Sequence, residues 1–319
     1  MARITLITLC VLVGTTSAVY VDTGNPYHTG PLETRWFWVT ETFDDSPLHS
    51  IVYYPAKAGD YAVYFFVPGL YGVIPGEVYS DYLRNVSSHG FIVIGSDYIK
   101  PNKGATGSDR SRRELGSIVD SFYKQLIWLQ AKLQGLIHNL YPGVTANWDY
   151  LAIGGHSAGG DTVLKIAEKN TSLAKVALFL EPMSFALSGP VGFRLPSLMY
   201  GTQLSEKHKK FFPPCVVPGL SYRHFYNNWM TPKVMVEVEN YGHCDILDMV
   251  AWDACHDLGI CATRNNTGDY LTIYHRFIQG ISSAFMVSQM LGHNASIAWV
   301  INTTLVPVTY QDLRYNFTM

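Results

Sequence analysis

The chain has 319 residues, of which 48% are hydrophobic and only 15% charged, with a formal net charge of −2. That is ample material for a sizeable core, and no internal repeat, low-complexity tract or charge block interrupts it. The near-neutral balance argues against nucleic acid as a partner.

In chain order, the first segment is MARITLITLCVLVGTTSA. Arg3 supplies a positive start, Ile4 to Val13 an apolar stretch, and Thr16-Ser17-Ala18 a small-residue cleavage site, so residues 1–18 read as a secretory signal peptide. The apolar stretch is shorter than the roughly 20 residues that a membrane span requires. No other uncharged run of that length follows. The expectation is a secreted protein without a transmembrane segment. No linker rich in Pro, Gly or Ser divides residues 19–319, which read as one domain.

Strand signals come next. TRWFWVTETF and SIVYYP are rich in β-branched and aromatic residues. With no helix between them, they should form an antiparallel edge. YAVYFFVPG, FIVIGSDY and YLAIGG are nearly continuous apolar runs, the pattern of strands covered on both faces. Helical stretches separate them, at Glu77 to Ser88 and at Ser111 to Leu140. In the longer one Leu115, Ile118, Val119, Phe122, Leu126, Leu129 and Leu133 recur at helical spacing, and Ser111 with Glu114 has the spacing of a capping box. Then follow a helix over about 158–168, strands KVALFLEP, PSLMYG and KVMVEVENYG, and a helix over about 270–291. Strand–helix alternation predicts the α/β class, with a mainly parallel sheet between helices.

Gly155-His156-Ser157-Ala158-Gly159 fits G-x-S-x-G, placed between the strand YLAIGG and a helix. In the α/β-hydrolase fold that sharp turn carries a nucleophilic serine, and glycines are needed where flanking side chains would collide. Ser157 is the candidate nucleophile. A serine hydroxyl needs a base, and in this fold the acid and then the histidine follow the serine. Of the later histidines only His243 directly follows a strongly apolar strand, with Gly242 letting the loop turn. Between Ser157 and His243 the one aspartate is Asp161, on the helix just after the serine. Among the glutamates, Glu181 stands at the carboxyl end of its strand, where such sites assemble, and is preferred. Glu206, after the next strand, is the alternative. The oxyanion donors should be the backbone N–H groups of Ala158 and of Leu70, the latter after Pro68-Gly69.

Cys215, Cys244, Cys255 and Cys261 form an even set, which in an oxidising compartment implies two disulfides with three possible connectivities. The Cys-x10-Cys-x5-Cys spacing, with His243 and His256 nearby, is not a recognised zinc pattern, so no metal is expected. Asn85, Asn170, Asn265, Asn294, Asn302 and Asn316 head Asn-x-Ser/Thr sequons, candidate glycosylation sites on the surface.

At these residues the chain resembles the chlorophyllase family of α/β-hydrolases. The likeness runs from about Pro47 to Cys261 and includes YSDYLRNVSSHGFIVIGSDY, GGHSAGGDT, FLEPM, FFPPCVVPGLSYRHFYNNW and YGHCDILD. It implies Ser157 as nucleophile and His243, within Gly-His-x-Asp-x-Leu-Asp, as base. The family's catalytic Asp-Pro pair falls on Glu181-Pro182, which supports Glu181 over Glu206. Three residues depart from the pattern. The acid is Glu rather than Asp, Ala158 stands where the family usually has Arg, and Pro68-Gly69 stands where it usually has His-Gly, as in secreted polyester and lipid esterases. The reading is a serine carboxylesterase for a hydrophobic ester, needing no cofactor, with the phytyl ester of chlorophyll one option and a lipid or polyester another. The alternative of a different class is a hydrolase fold used only for binding or adhesion.

Overall fold

A computed structural model describes residues 18, 20–22, 24–98, 115–209, 212–264 and 269–318. The signal-peptide residues before Ala18, the Ser111/Glu114 capping pair and the Asn265 sequon lie outside the described residues.

The apolar runs become strands. These are β1 (Thr34–Val39), β2 (His49–Pro55), β3 (Gly59–Val67), β4 (Phe91–Asp97), β5 (Val144–His156), β6 (Val176–Leu180), β7 (Ser197–Thr202), β8 (Lys233–Val238) and β9 (Tyr310–Asn316). They form one nine-stranded sheet in the order β1-β2-β4-β3-β5-β6-β7-β8-β9. From β4 through β8 every pairing is parallel. The opening strands make the expected antiparallel edge, and β9 pairs antiparallel with β8 at the other.

The main helices are α1 (Ser80–Ser88), α2 (Leu115–Leu140), α3 (Gly159–Lys169), α4 (Tyr222–Asn228), α5 (Met249–Asp257) and α6 (Tyr270–Gln289). Side-chain alternation along the strands feeds two cores, one on each face of the sheet. Ala62, Tyr64 and Phe66 of β3 point into the core shared with α1 and α6. Val63, Phe65 and Val67 of the same strand point into the core shared with α2, α3 and α4. This double burial is why β3 reads as an unbroken apolar run. Each such side chain removed from water contributes about 2 kcal/mol, so the sheet centre is the firmest part of the molecule. In α2 the residues at helical spacing from Ile118 to Leu133 are buried, and Ile137 extends the stripe by one turn.

Some boundaries differ from expectation. The first strand stops at Val39, and Glu41–Asp44 forms a single helical turn. The stretch from Glu77 divides into a 3-10 turn, Gly76–Tyr79, and α1. β5 begins earlier, at Val144, and accommodates the extra length with a register shift opposite Ala62 and Val63 of β3. Strand β9 and helices α4 and α5 were not anticipated. No helix among the described residues is long and apolar enough to cross a membrane.

Candidate active site

The carboxyl ends of β5, β6 and β8 lie on one rim of the sheet, and the residues singled out in the sequence leave from those ends. Ser157 follows β5 in the left-handed backbone region, φ 55°. A non-glycine residue there carries strain, which is how the turn between strand and helix thrusts a side chain outward. The flanking glycines are sterically required. A Cβ on Gly155 would come within 2.6 Å of the Gly159 backbone, and one on Gly159 within 2.4 Å of the Val67 carbonyl oxygen.

His243 opens the turn after β8. Its Nε2 is 2.9 Å from Ser157 Oγ, although the two residues are 86 apart in the chain. On the opposite side of the ring, Nδ1 is 3.7 Å from Glu181 Oε2. Glu181 is fully buried and leaves β6 with φ 49°, a second left-handed turn at the same rim. Tyr200 and Tyr274 surround it. Burial first, with the Glu181 charge adding to it, pushes both phenols well above their ordinary range, so both stay protonated beside the carboxylate. Glu206 is placed elsewhere, its carboxylate 3.3 Å from Arg223 on α4. Arg223 also grips Glu237.

Two backbone donors are open. Pro68 is extended, and Leu70 (φ 51°, ψ 44°) and Tyr71 (φ 56°, ψ 38°) both take left-handed conformations. The loop abuts the serine, since a Cβ on Gly69 would lie 3.6 Å from Ser157 Cβ. Among the described residues neither the Leu70 nor the Ala158 N–H has a hydrogen-bond acceptor. Unengaged amides beside a serine can receive a negative oxygen.

Three aspartates support the rim without having been assigned a role from sequence. Asp161 on α3 is fully buried and accepts from the Ser184 hydroxyl, the Phe185 N–H at 3.0 Å and the Tyr71 hydroxyl at 3.3 Å. It thereby ties the serine helix to the loop after β6 and to the loop after β3. Burial raises its pKa against the pull of those donors. Asp245 accepts from the Gly242 N–H at 2.8 Å, the Trp252 indole at 2.6 Å and the Tyr270 hydroxyl, which fixes the turn carrying His243. Asp248 accepts the Ser80 and Asp81 N–H groups, capping α1 and anchoring that turn from outside. The last two were visible as the Asp letters of Gly-His-x-Asp-x-Leu-Asp. Nothing in the sequence indicated their partners.

The four cysteines pair as Cys215–Cys261 and Cys244–Cys255. Cys244, Cys255 and Cys261 lie close enough to share an ion, but as disulfides their sulfurs carry no thiolate to bind one. Of the described sequons, Asn294, Asn302 and Asn316 are exposed, while Asn85 and Asn170 are half-buried. Leu70 and Phe185, 56% and 65% exposed, are apolar side chains displayed on the loops beside the serine.

The chlorophyllase family model matches residues 22–181 and 167–316. The chain is 27% identical over 290 residues to chlorophyllase-2 of Arabidopsis thaliana, covering 84% of this chain and 86% of that protein. It is 26% identical over 288 residues to a chloroplastic chlorophyllase-1 of Citrus unshiu, covering 84% and 81%. It is also 26% identical over 197 residues to cutinase 2 of Thermobifida cellulosilytica, covering 60% and 64%.

Proposed function

Because the chain belongs to the chlorophyllase family, we propose that it is a secreted serine carboxylic-ester hydrolase that acts on a hydrophobic ester through Ser157, His243 and Glu181. The 2.9 Å contact between Ser157 Oγ and His243 Nε2 carries this reading.

The Ser157 oxygen attacks the ester carbonyl while His243 Nε2 takes its proton. The carbonyl π electrons move onto oxygen, and the N–H groups of Leu70 and Ala158 hold that oxyanion. The tetrahedral species collapses, the bond to the alcohol oxygen breaks, and the proton on Nε2 passes to the departing alcohol. Water then repeats the sequence on the acyl-enzyme, releasing the carboxylic acid and restoring Ser157. Glu181 keeps the His243 proton on Nδ1 in the resting state and stabilises the imidazolium as it forms. Glu206, paired with Arg223, takes no part.

The substrate class follows from the mouth. Exposed Leu70 and Phe185 favour an apolar acyl or alcohol group over a charged one. Pro68-Gly69 is shared with lipid and polyester esterases and Ala158 departs from the chlorophyllase pattern, whereas the likeness over most of the chain is to chlorophyllases, so the phytyl ester and a lipid or polyester are the substrates to compare. Secretion is proposed from the first 18 residues, and two disulfides fit an oxidising compartment. Glycosylation is proposed at the exposed sequons, Asn294, Asn302 and Asn316. We read residues 19–319 as one domain.

A fluorophosphonate probe should label the wild-type protein and not Ser157→Ala. Failure to label the wild type would favour a binding protein. A panel of p-nitrophenyl esters of rising chain length, chlorophyll, pheophytin and a polyester film, with Ser157→Ala as control, then ranks the substrates.

A further inference from the structure

The residue before Ser157 is a histidine for which the proposed chemistry has no use. His156 ends β5 and is 4% exposed. Its Nε2 lies 3.2 Å from the backbone oxygen of His243, and its Nδ1 lies 2.9 Å from the hydroxyl of Tyr79. A carbonyl oxygen only accepts, so Nε2 carries a proton. Burial, and after it the adjacent His243 ring, pushes His156 well below the ordinary imidazole pKa. The ring is therefore neutral and Nδ1 keeps its lone pair. It follows that the Tyr79 hydroxyl donates to Nδ1. The Tyr79 oxygen in turn accepts the Gly69 N–H at 3.1 Å.

Every donor in this chain faces the same way. Gly69 donates to Tyr79, Tyr79 to His156, and His156 to the His243 carbonyl. Such rows polarise one another and strengthen as a unit in a dry interior. Its two ends are the two loops that must meet at the serine. Gly69 immediately precedes Leu70, and His243 carries the proposed base. Packing reinforces the link. The His156 ring lies over the His243 ring, centroids 4.5 Å apart and tilted 30°. Fully buried Tyr79 is held edge-on against Phe66, centroids 5.1 Å apart. A Cβ on Gly69 would lie 3.1 Å from both His156 Nδ1 and the Tyr79 oxygen, so a larger residue at the first link would press on both and push them by a few tenths of an ångström.

We infer that His156 and Tyr79 are positioning residues that hold the oxyanion loop and the base loop in mutual register, so that the Leu70 N–H and His243 Nε2 serve the same serine at once. The inference rests on the reading of Ser157 and His243 as nucleophile and base. Neither His156 nor Tyr79 is assigned contact with substrate. Their loss should slow the chemical step and leave substrate binding alone.

The test uses the full chain and a p-nitrophenyl ester. kcat and KM are measured for wild type, Tyr79→Phe, His156→Phe, His156→Gln, the Tyr79→Phe/His156→Phe double variant and Ser157→Ala. Rates of the variants that keep Ser157 are normalised to serine titrated to completion with a fluorophosphonate, so that misfolded protein is not counted, and the rate of Ser157→Ala is normalised to its concentration of folded protein. Tyr79→Phe and His156→Phe should each lower normalised kcat about tenfold or more, with KM within about twofold of wild type. His156→Gln, whose amide can donate to the carbonyl and accept from the phenol, should recover most of the loss. The double variant should be no slower than His156→Phe alone, since either change breaks the same row. Wild-type normalised kcat in Tyr79→Phe, or losses that simply multiply in the double variant, would overturn the inference while leaving the serine reading intact. Activity surviving in Ser157→Ala would overturn that reading itself.

Discussion

Nδ1 of His243 and the nearer oxygen of Glu181 stand 3.7 Å apart, within ion-pair reach and beyond hydrogen-bond length. Among the described residues, neither carboxylate oxygen nor Nδ1 has a hydrogen-bond partner. A buried charge so uncommitted acts most strongly when the imidazole becomes a cation, and such contacts tighten in the reacting complex. Glu181→Gln keeps the shape and removes the charge. It should lower kcat by roughly 10³ to 10⁴ with little change in KM. Glu206→Gln only breaks a half-exposed pair with Arg223 and should leave kcat within about twofold. Steady-state kinetics of the two variants on one ester check this, and equal losses would place the acid elsewhere.

The two disulfides should separate stability from activity. Cys215–Cys261 joins residues 46 apart, Cys244–Cys255 residues 11 apart. Loop-closure entropy assigns about 4 kcal/mol to the longer loop and about 3 to the shorter. Replacing Cys215 and Cys261 by serine should therefore cost more in thermal midpoint. Replacing Cys244 and Cys255 should cost more in kcat, because Cys244 adjoins His243 in the same turn. Calorimetry, paired with kinetics well below either midpoint, reads both effects. A larger midpoint loss for the shorter loop would contradict the argument.

What the chain disclosed before folding depended on how local each feature is. β3, β4 and β5 could be read because burial on both faces makes each a nearly continuous apolar run. β9, sequence YQDLRYN, could not, because it is an edge strand with exposed positions between its packed ones. Ser157 was legible because its elbow demands glycines within two residues of it. Glu181 was preferred over Glu206 as the candidate acid, but the Arg223 that pairs with Glu206 could not be foreseen, because it sits on α4, a helix too short to leave a periodic signal. Asp245 could be seen but not interpreted, because its partners Trp252 and Tyr270 lie on other helices and reach it only in the folded state.

Phe185 should set chain-length preference. Its ring is 65% exposed on the loop after β6, while its backbone is pinned to Asp161. A side chain fixed at its base and bare at its tip is suited to cover an apolar substrate chain. Each methylene it shields contributes up to about 0.8 kcal/mol. Phe185→Ser should raise KM several-fold for long-chain p-nitrophenyl esters and leave the acetate ester unchanged. A uniform change across chain lengths would show that Phe185 does not meet the substrate.

Asp245 should make stability depend on pH over the mildly acid range. Its carboxyl is fully buried, and burial pushes its pKa up to about 6 from an ordinary 3.8, against the pull of Tyr270, Trp252 and Gly242 and with the Glu181 charge adding to the rise. Asp248, which caps α1, is raised to about 6 in the same sense, chiefly by burial. A raised carboxyl binds its proton more tightly in the folded chain than in the unfolded one. Its stabilising contribution is complete below about pH 3.8 and is lost as the pH climbs through about 6. Asp245→Asn cannot titrate, and it turns an amide N–H₂ toward one of the donors that the carboxylate satisfied, so it should also loosen the His243 turn and lower kcat. The margin in thermal midpoint by which wild type exceeds Asp245→Asn should be greatest near pH 4 and shrink steadily toward about pH 7. Unfolding midpoints of the two proteins across that interval check this, and a margin independent of pH would mean that Asp245 keeps an ordinary carboxyl pKa in the folded chain.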